Sequence, residues 1–149
     1  MRVALGNDHA GYVLREAVQE AVRALGDELV DFGTDRQEPC DYPDIVIPVT
    51  RALVEGDCEL GLLICGTGIG MAIAANKVPG IYAARCEEGY SARLAREHNA
   101  ANVLTLGGRV IGPGLAAEVV TAFLTATPSC GPRHQARQEK VRRLEAQRG

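Results

Sequence analysis

Tryptophan is absent from this 149-residue chain, and two Phe with four Tyr bring the aromatic share to only 4%. No apolar run approaches the ~20 residues needed to span a membrane. The longest, around Leu60–Cys65, has the length of a strand. Nor is there a secretory signal: Asp8 interrupts the N-terminus before an apolar core could form, so the expected location is the cytoplasm. The five cysteines (40, 58, 65, 86 and 130) are odd in number and show no C-x-x-C spacing. That excludes a disulfide scaffold and reads as free cytosolic thiols. No strong excess of one charge exists either, since the formal net charge is −3, which offers nothing to nucleic acid.

What is present is ordinary globular material, 46% hydrophobic and 23% charged, with 17 glycines of the kind that tight α/β loops require. The length suits one domain, residues 1–149. Charge is uneven. From Arg133 to Gly149 six Lys/Arg stand against two Glu, a net of +4 that leaves −7 on the remainder. Such a tail is a solvated helix face, an intersubunit contact or an anion site.

Strands and helices alternate along the chain. Strands are expected at 2–6, around 29–30, and at 60–64, 81–84 and 103–106. Helices are expected at 12–25, from an N-cap at Asp44 to Glu55, from the glycine turn to Lys77, and at 88–97, 114–124 and about 132–147. Pro48 is tolerated in the second of these only if it lies in the first turn. Continuous apolarity at 60–64 marks a strand covered on both faces. The fold class is therefore α/β, a three-layer α/β/α sandwich on a five-stranded parallel Rossmann-like sheet.

Ligands of such sheets bind beyond the C-terminal strand ends, at a switch in strand order. Two loops there are chemically rich: Asp8-His9 after the first strand, and Cys65-Gly66-Thr67-Gly68-Ile69-Gly70 after the third. They share one crevice if the first and third strands are neighbours. The glycine loop is no dinucleotide fingerprint, because Met71 stands where the third glycine belongs, and no Walker lysine follows. The same Met71 removes the arginine that a cysteine-phosphatase loop needs. A purely structural turn is the bland alternative. The functional one is a ligand site in which glycines admit close approach and backbone N–H groups hold an anionic oxygen. A thiolate at its edge, Cys65, suits attack on a carbonyl or abstraction of a proton beside one. No further phosphatase or hydrolase parts are present, which favours proton abstraction. Asp8, His9, Cys65 and His98 are the only conceivable metal ligands and have no recognised spacing, so neither metal nor cofactor is expected.

Seven ordered motifs carry a more specific signal. They are Gly6-x-Asp8-His9-x-Gly11, Asp41-Tyr42-Pro43, Ile64-Cys65-Gly66-Thr67-Gly68-x-Gly70, Ala74-Ala75-Asn76-Lys77, His98-Asn99-x-x-Asn102-Val103-Leu104, Leu106-Gly107-x-Arg109 and Arg133-His134-Gln135-x-x-Arg137. Together they resemble the B-type ribose-5-phosphate isomerases, of the wider family that includes lactose-pathway galactose-6-phosphate isomerase. The likeness runs from Arg2 to about Leu144.

The resemblance implies metal-free interconversion of an aldose phosphate and a ketose phosphate through a cis-enediolate. It implies Cys65 as the base, with Thr67 and the N–H groups of Gly66, Gly68, Ile69 and Gly70 steadying the enediolate. It implies His98 as the acid that opens the furanose. Asp8, Tyr42 and Asn99 would bind sugar hydroxyls, and His9, Arg109, Arg133 and Arg137 the phosphate. Members with Glu at the place of Met71 lack the cysteine, so this chain falls with the thiol subgroup. Ribose 5-phosphate is the expected substrate. Allose, galactose and erythrose phosphates are alternatives, as is a non-catalytic sugar-phosphate-binding protein. His134, Arg142, Arg143 and Arg148 read as solvated surface, Cys86 as a buried structural thiol, and Cys40, Cys58 and Cys130 as structural or incidental.

A homodimer with shared sites, or a tetramer built on it, is also expected. Cys65 follows a strand and His98 precedes one, which puts them at opposite sheet edges. A strand of this length spans ~17–20 Å, so one sugar cannot meet both side chains within a subunit. A second chain would then supply His98 with Asn99 and Arg109. The family resemblance implies the same sharing, with Arg133 and Arg137 on the Cys65 side.

Overall fold

The computed structural model, which describes residues 1–147, is organised around the run Leu60–Cys65, all six residues of which are buried. In chain order the elements are β1 (Arg2–Asn7), α1 (Tyr12–Ala24), β2 (Glu28–Asp31), α2 (Tyr42–Val54) and β3 (Leu60–Cys65). There follow α3 (Ile69–Ala75), β4 (Ala83–Arg85), α4 (Gly89–Asn99), β5 (Val103–Gly107), α5 (Pro113–Thr125) and α6 (Pro132–Ala146). The strands form one parallel sheet in the order β2-β1-β3-β5-β4, so the expected Rossmann-like α/β architecture holds. β1 and β3 are neighbours, and their two C-terminal loops do share an edge.

Strand alternation sorts the core into two layers. Leu62 and Ile64 join Val3, Leu5, Leu104 and Leu106 against residues of α1, α4 and α5. Leu63 and Cys65 turn the other way, with Val103, onto Val49 of α2 and Met71 and Ala75 of α3. Cys65 thus belongs to the α2/α3 side. Helix α6 buries none of its residues.

Three boundaries differ from the sequence reading, and each bears on the site. Helix α2 starts at Tyr42 with Asp41 as N-cap, not at Asp44. Pro43 sits in its first turn, where a fixed φ and a missing N–H cost nothing. Pro48 consequently lies in the helix interior, where it leaves the Asp44 carbonyl without its helical donor. Helix α4 runs on through His98 and Asn99 and stops at Ala100, which takes the left-handed conformation (φ 51°). The chain closes there with Ala101 N–H donating to the Ala95 carbonyl at 2.9 Å and Ala100 N–H to that of Arg96 at 3.1 Å. Glycine usually provides that stop, so an alanine in the role leaves no signal in the sequence. Strand β4, finally, is Ala83–Arg85, which brings Arg85 into the sheet.

Candidate active site

The loop after β3 is held in place by its neighbours. Gly108 N–H donates to the Cys65 carbonyl at 2.7 Å, and Arg109 N–H to the Gly66 carbonyl at 3.0 Å. Gly68 needs its glycine, since φ is +77° and a Cβ would stand 3.0 Å from the Leu106 carbonyl carbon. At Gly70 a Cβ would meet the Tyr42 ring at 2.8 Å, so the missing side chain lets that ring lie across the start of α3. Cys65 is only 5% exposed, and its sulfur accepts the Gly68 N–H at 3.1 Å. The Thr67 hydroxyl accepts the Ile69 N–H at 3.3 Å.

Asp8 and His9 approach from the end of β1. The buried Asp8 uses Oδ1 to accept the N–H groups of Ala10 (2.9 Å) and Gly11 (2.8 Å), which shapes the turn into α1. Its other oxygen is the one left for a ligand. His9 accepts the Cys40 backbone N–H on Nδ1 at 3.2 Å. A nitrogen that accepts carries no proton, so Nε2 is the ring's donor. Cys40 is therefore not incidental: its backbone orients His9. His9 and Arg109 line a polar cavity of about 840 Å³ with Tyr12, Arg15 and Gln37. Arg109 also lies over the glycine turn, where a Cβ on Gly66 would come within 3.4 Å of its guanidinium.

A second constellation sits at the opposite edge. His98, at the end of α4, stacks on His134 of α6 with ring centroids 4.2 Å apart and planes 12° apart. Gln138 donates its side-chain N–H to the His98 carbonyl at 3.0 Å. His98, Asn99, His134 and Arg137 line a cavity of about 520 Å³. The register places Val103 level with Gly61 and Gly107 level with Cys65. Four residues at ~3.3 Å each put the two edges about 13 Å apart along the strands, before the loops are counted.

This division corrects two expectations. Arg137 lies on the His98 side, not the Cys65 side, because α6 folds back against α4. Arg133 belongs to the same first turns of α6. Arg109 lies on the Cys65 side, because it follows β5 at its C-terminal end. His134 is also more than solvated surface. Partial burial, then the positive neighbours His98, Arg133 and Arg137, hold its imidazole below the ordinary histidine range. Arg142 and Arg143, by contrast, are exposed and pair with Glu139. Arg148 lies outside the described residues. Among the described residues no group of three His, Cys, Asp or Glu is placed to hold a metal ion. No helix among them is long and apolar enough to cross a membrane.

Cys86 is a core residue whose thiol is pushed up to about 11, chiefly by burial and then by Glu88. Iodoacetamide at pH 8 should therefore label exposed Cys130 in the folded protein and leave Cys86 untouched until denaturant is added. Peptide mass spectrometry reads this directly, and equal labelling of the two would refute the assignment.

Fold and loop chemistry together define an α/β protein of parallel, Rossmann-like architecture whose polar loops gather at the β1/β3 switch. Residues 3–141 match the family described as Ribose/Galactose Isomerase. The chain is 44% identical over 147 residues to ribose-5-phosphate isomerase B of Escherichia coli, covering 99% of this chain and 98% of that one. It is 42% identical over 127 residues to a D-erythrulose-4-phosphate isomerase of Pectobacterium atrosepticum, covering 85% and 84%. The structure of Clostridium thermocellum ribose-5-phosphate isomerase B superposes with a TM-score of 0.95 at 45% identity, covering all of both chains. The chain belongs to the ribose/galactose isomerase family and is, by class, a sugar-phosphate isomerase.

Proposed function

We propose that this protein interconverts ribose 5-phosphate and ribulose 5-phosphate in sites built from two copies of the chain. The observation that carries the reading is the division of its chemistry. The proton-moving and phosphate-facing groups Cys65, Thr67, Asp8, His9, Tyr42 and Arg109 stand at one sheet edge. His98 and Asn99 stand with Arg137 at the other. In a two-fold dimer the two half-sites face each other twice.

In the reaction, His98 of one chain protonates the ring oxygen while the anomeric hydroxyl gives its proton to water, which breaks the C1–O4 bond and frees the aldehyde. Cys65 of the other takes the proton from C2, and the electron pair left behind forms the cis-enediolate. The same thiol returns the proton at C1 while the O2 hydroxyl proton passes to O1, giving the ketose. Gly68 and Ile69 N–H groups already serve the Cys65 sulfur and the Thr67 hydroxyl. The amides of Gly66, Thr67 and Gly70 are then the ones that steady the enediolate, together with that hydroxyl. His9 Nε2 and Arg109 take the phosphate from one chain, and Arg133 and Arg137 from the other. The two arginines are four apart on α6 and so share a face.

A panel of four-, five- and six-carbon aldose phosphates, with EDTA and with added divalent metal, tests the reading. Highest kcat/KM on ribose 5-phosphate, unchanged by EDTA, is expected. Preference for a four- or six-carbon sugar would overturn the substrate, and no turnover of any would favour a binding protein. The same panel isolates ring opening. His98→Asn should lose roughly 10²-fold or more on ribose 5-phosphate. Erythrose 4-phosphate cannot close a furanose and should be spared, and an equal loss there would refute the role of His98.

A further inference from the structure

Two residues that belong to none of the motifs above reach into the glycine turn. Arg85 of β4 and Thr105 of β5 are paired in register, and their side chains point to the same face of the sheet. Arg85 Nε donates to the Thr67 carbonyl at 2.5 Å. The fully buried Thr105 donates its hydroxyl proton to the Gly68 carbonyl at 2.8 Å. Successive carbonyls of the turn are thus held from adjacent strands. Glu87 pairs with Nη2 of the same guanidinium, leaving Nε to the turn.

A planar trans peptide points its C=O and its N–H in opposite directions. Holding the Thr67 carbonyl back therefore turns the Gly68 N–H forward, and that N–H lands on the Cys65 sulfur at 3.1 Å. Holding the Gly68 carbonyl back turns the Ile69 N–H forward, onto the Thr67 hydroxyl at 3.3 Å. The left-handed Gly68, with φ of +77°, is the joint between the two peptides. A glycine there is free to rotate. The Gly68 carbonyl also accepts the Ala72 N–H of α3 at 3.1 Å, so Thr105 adds a second donor there, whereas the Thr67 carbonyl takes its donor from Arg85.

We infer that Arg85 and Thr105 are positioning residues, which fix the Cys65 sulfur and the Thr67 hydroxyl by gripping the carbonyls of Thr67 and Gly68. Neither needs to touch substrate. Arg85 is the sharper case, because a structural arginine at a strand end could pair with Glu87 alone, whereas this one spends its Nε on the turn. The functional half of the inference rests on Cys65 acting as the base. The geometric half does not.

Arg85→Met and Thr105→Val keep side-chain bulk and remove the donors. Amide NMR of the ligand-free protein tests the geometry. The Gly68 resonance should move and its exchange with solvent accelerate tenfold or more in Arg85→Met, and the Ile69 resonance should do so in Thr105→Val. Unmoved amides would overturn the grip, whatever the activity. Kinetics test the consequence. With the sugar phosphate that the wild type turns over, kcat should fall about tenfold in each variant while KM changes less than twofold. Thr105→Ser should restore both the Ile69 amide and kcat, since it returns the hydroxyl. Amides that move without loss of kcat would overturn the positioning role. So would a Thr105→Ser protein as impaired as Thr105→Val. Arg85, whose side chain is 28% exposed, can be changed without opening the core, and it decides the matter if Thr105→Val does not fold. A wild-type protein without isomerase activity would defeat the proposed function, yet the amide measurement would still decide the geometry.

Discussion

Replacing Cys65 by alanine is expected to lower kcat by roughly 10²–10⁴-fold, the usual worth of a positioned proton-transfer group, and to leave KM nearly unchanged. The sulfur is the one titratable atom at the centre of the turn, buried and hydrogen-bonded to the Gly68 N–H. On the function proposed above, its removal takes away the group that carries the proton between carbons. On that same proposal binding survives, because the phosphate is assigned to His9 and Arg109, which line the polar cavity. Loss of kcat with constant KM is the pattern of an interaction made only in the transition state. Steady-state rates on ribose 5-phosphate, with a thermal melt to verify folding, read the result. Turnover within a few-fold of wild type would remove Cys65 from its role and leave the turn as a binding element only.

Mixing two dead proteins should produce a live one. Cys65→Ala and His98→Asn chains are each expected to be nearly inactive on a furanose substrate. After subunit exchange, a mixed dimer holds one site with both residues mutated and one with both intact. Random exchange of equal amounts makes half the dimers mixed, so activity should return to about a quarter of wild type. The physical basis is the separation of the two cavities across the sheet. Cys65 is level with Gly107, and His98 lies beyond the opposite end of β5. Tagged chains would verify exchange. If exchange occurs and no activity returns, Cys65 and His98 serve sites that no pair of chains completes, and the composite site fails. Arg137→Ala paired with Cys65→Ala should also complement, because Arg137 lines the His98 cavity. It should fail to complement His98→Asn, with which it shares a half-site.

Local pattern was enough for much of this molecule. The continuous apolar run of β3 required cover on both faces, and the alternation of strands with helical stripes required a parallel sheet. The glycine turn and Asp8-His9 then belong at the C-terminal edge, because that edge follows from strand direction alone. Cys65 and Thr67 are legible there as residue types with chemistry to offer, whereas Tyr42 is marked only by the family resemblance.

What escaped was everything settled by contacts between elements distant in sequence. Helix α6 has no buried residue, so its pattern held no clue to which surface it meets. Its stack on His98 and the Gln138 bond place Arg137 at the opposite edge from the one expected. Ala100 closes α4 in a conformation usually reserved for glycine, which hid the fact that His98 and Asn99 stand on a rigid helix. Arg85 and Thr105 carry no motif at all. Their part in the turn exists because β4 and β5 pair in register beside β3, bringing two donors to two carbonyls. Periodicity reports which face of an element is buried. It does not report what that face, or an exposed polar tip, will touch once the sheet has been assembled.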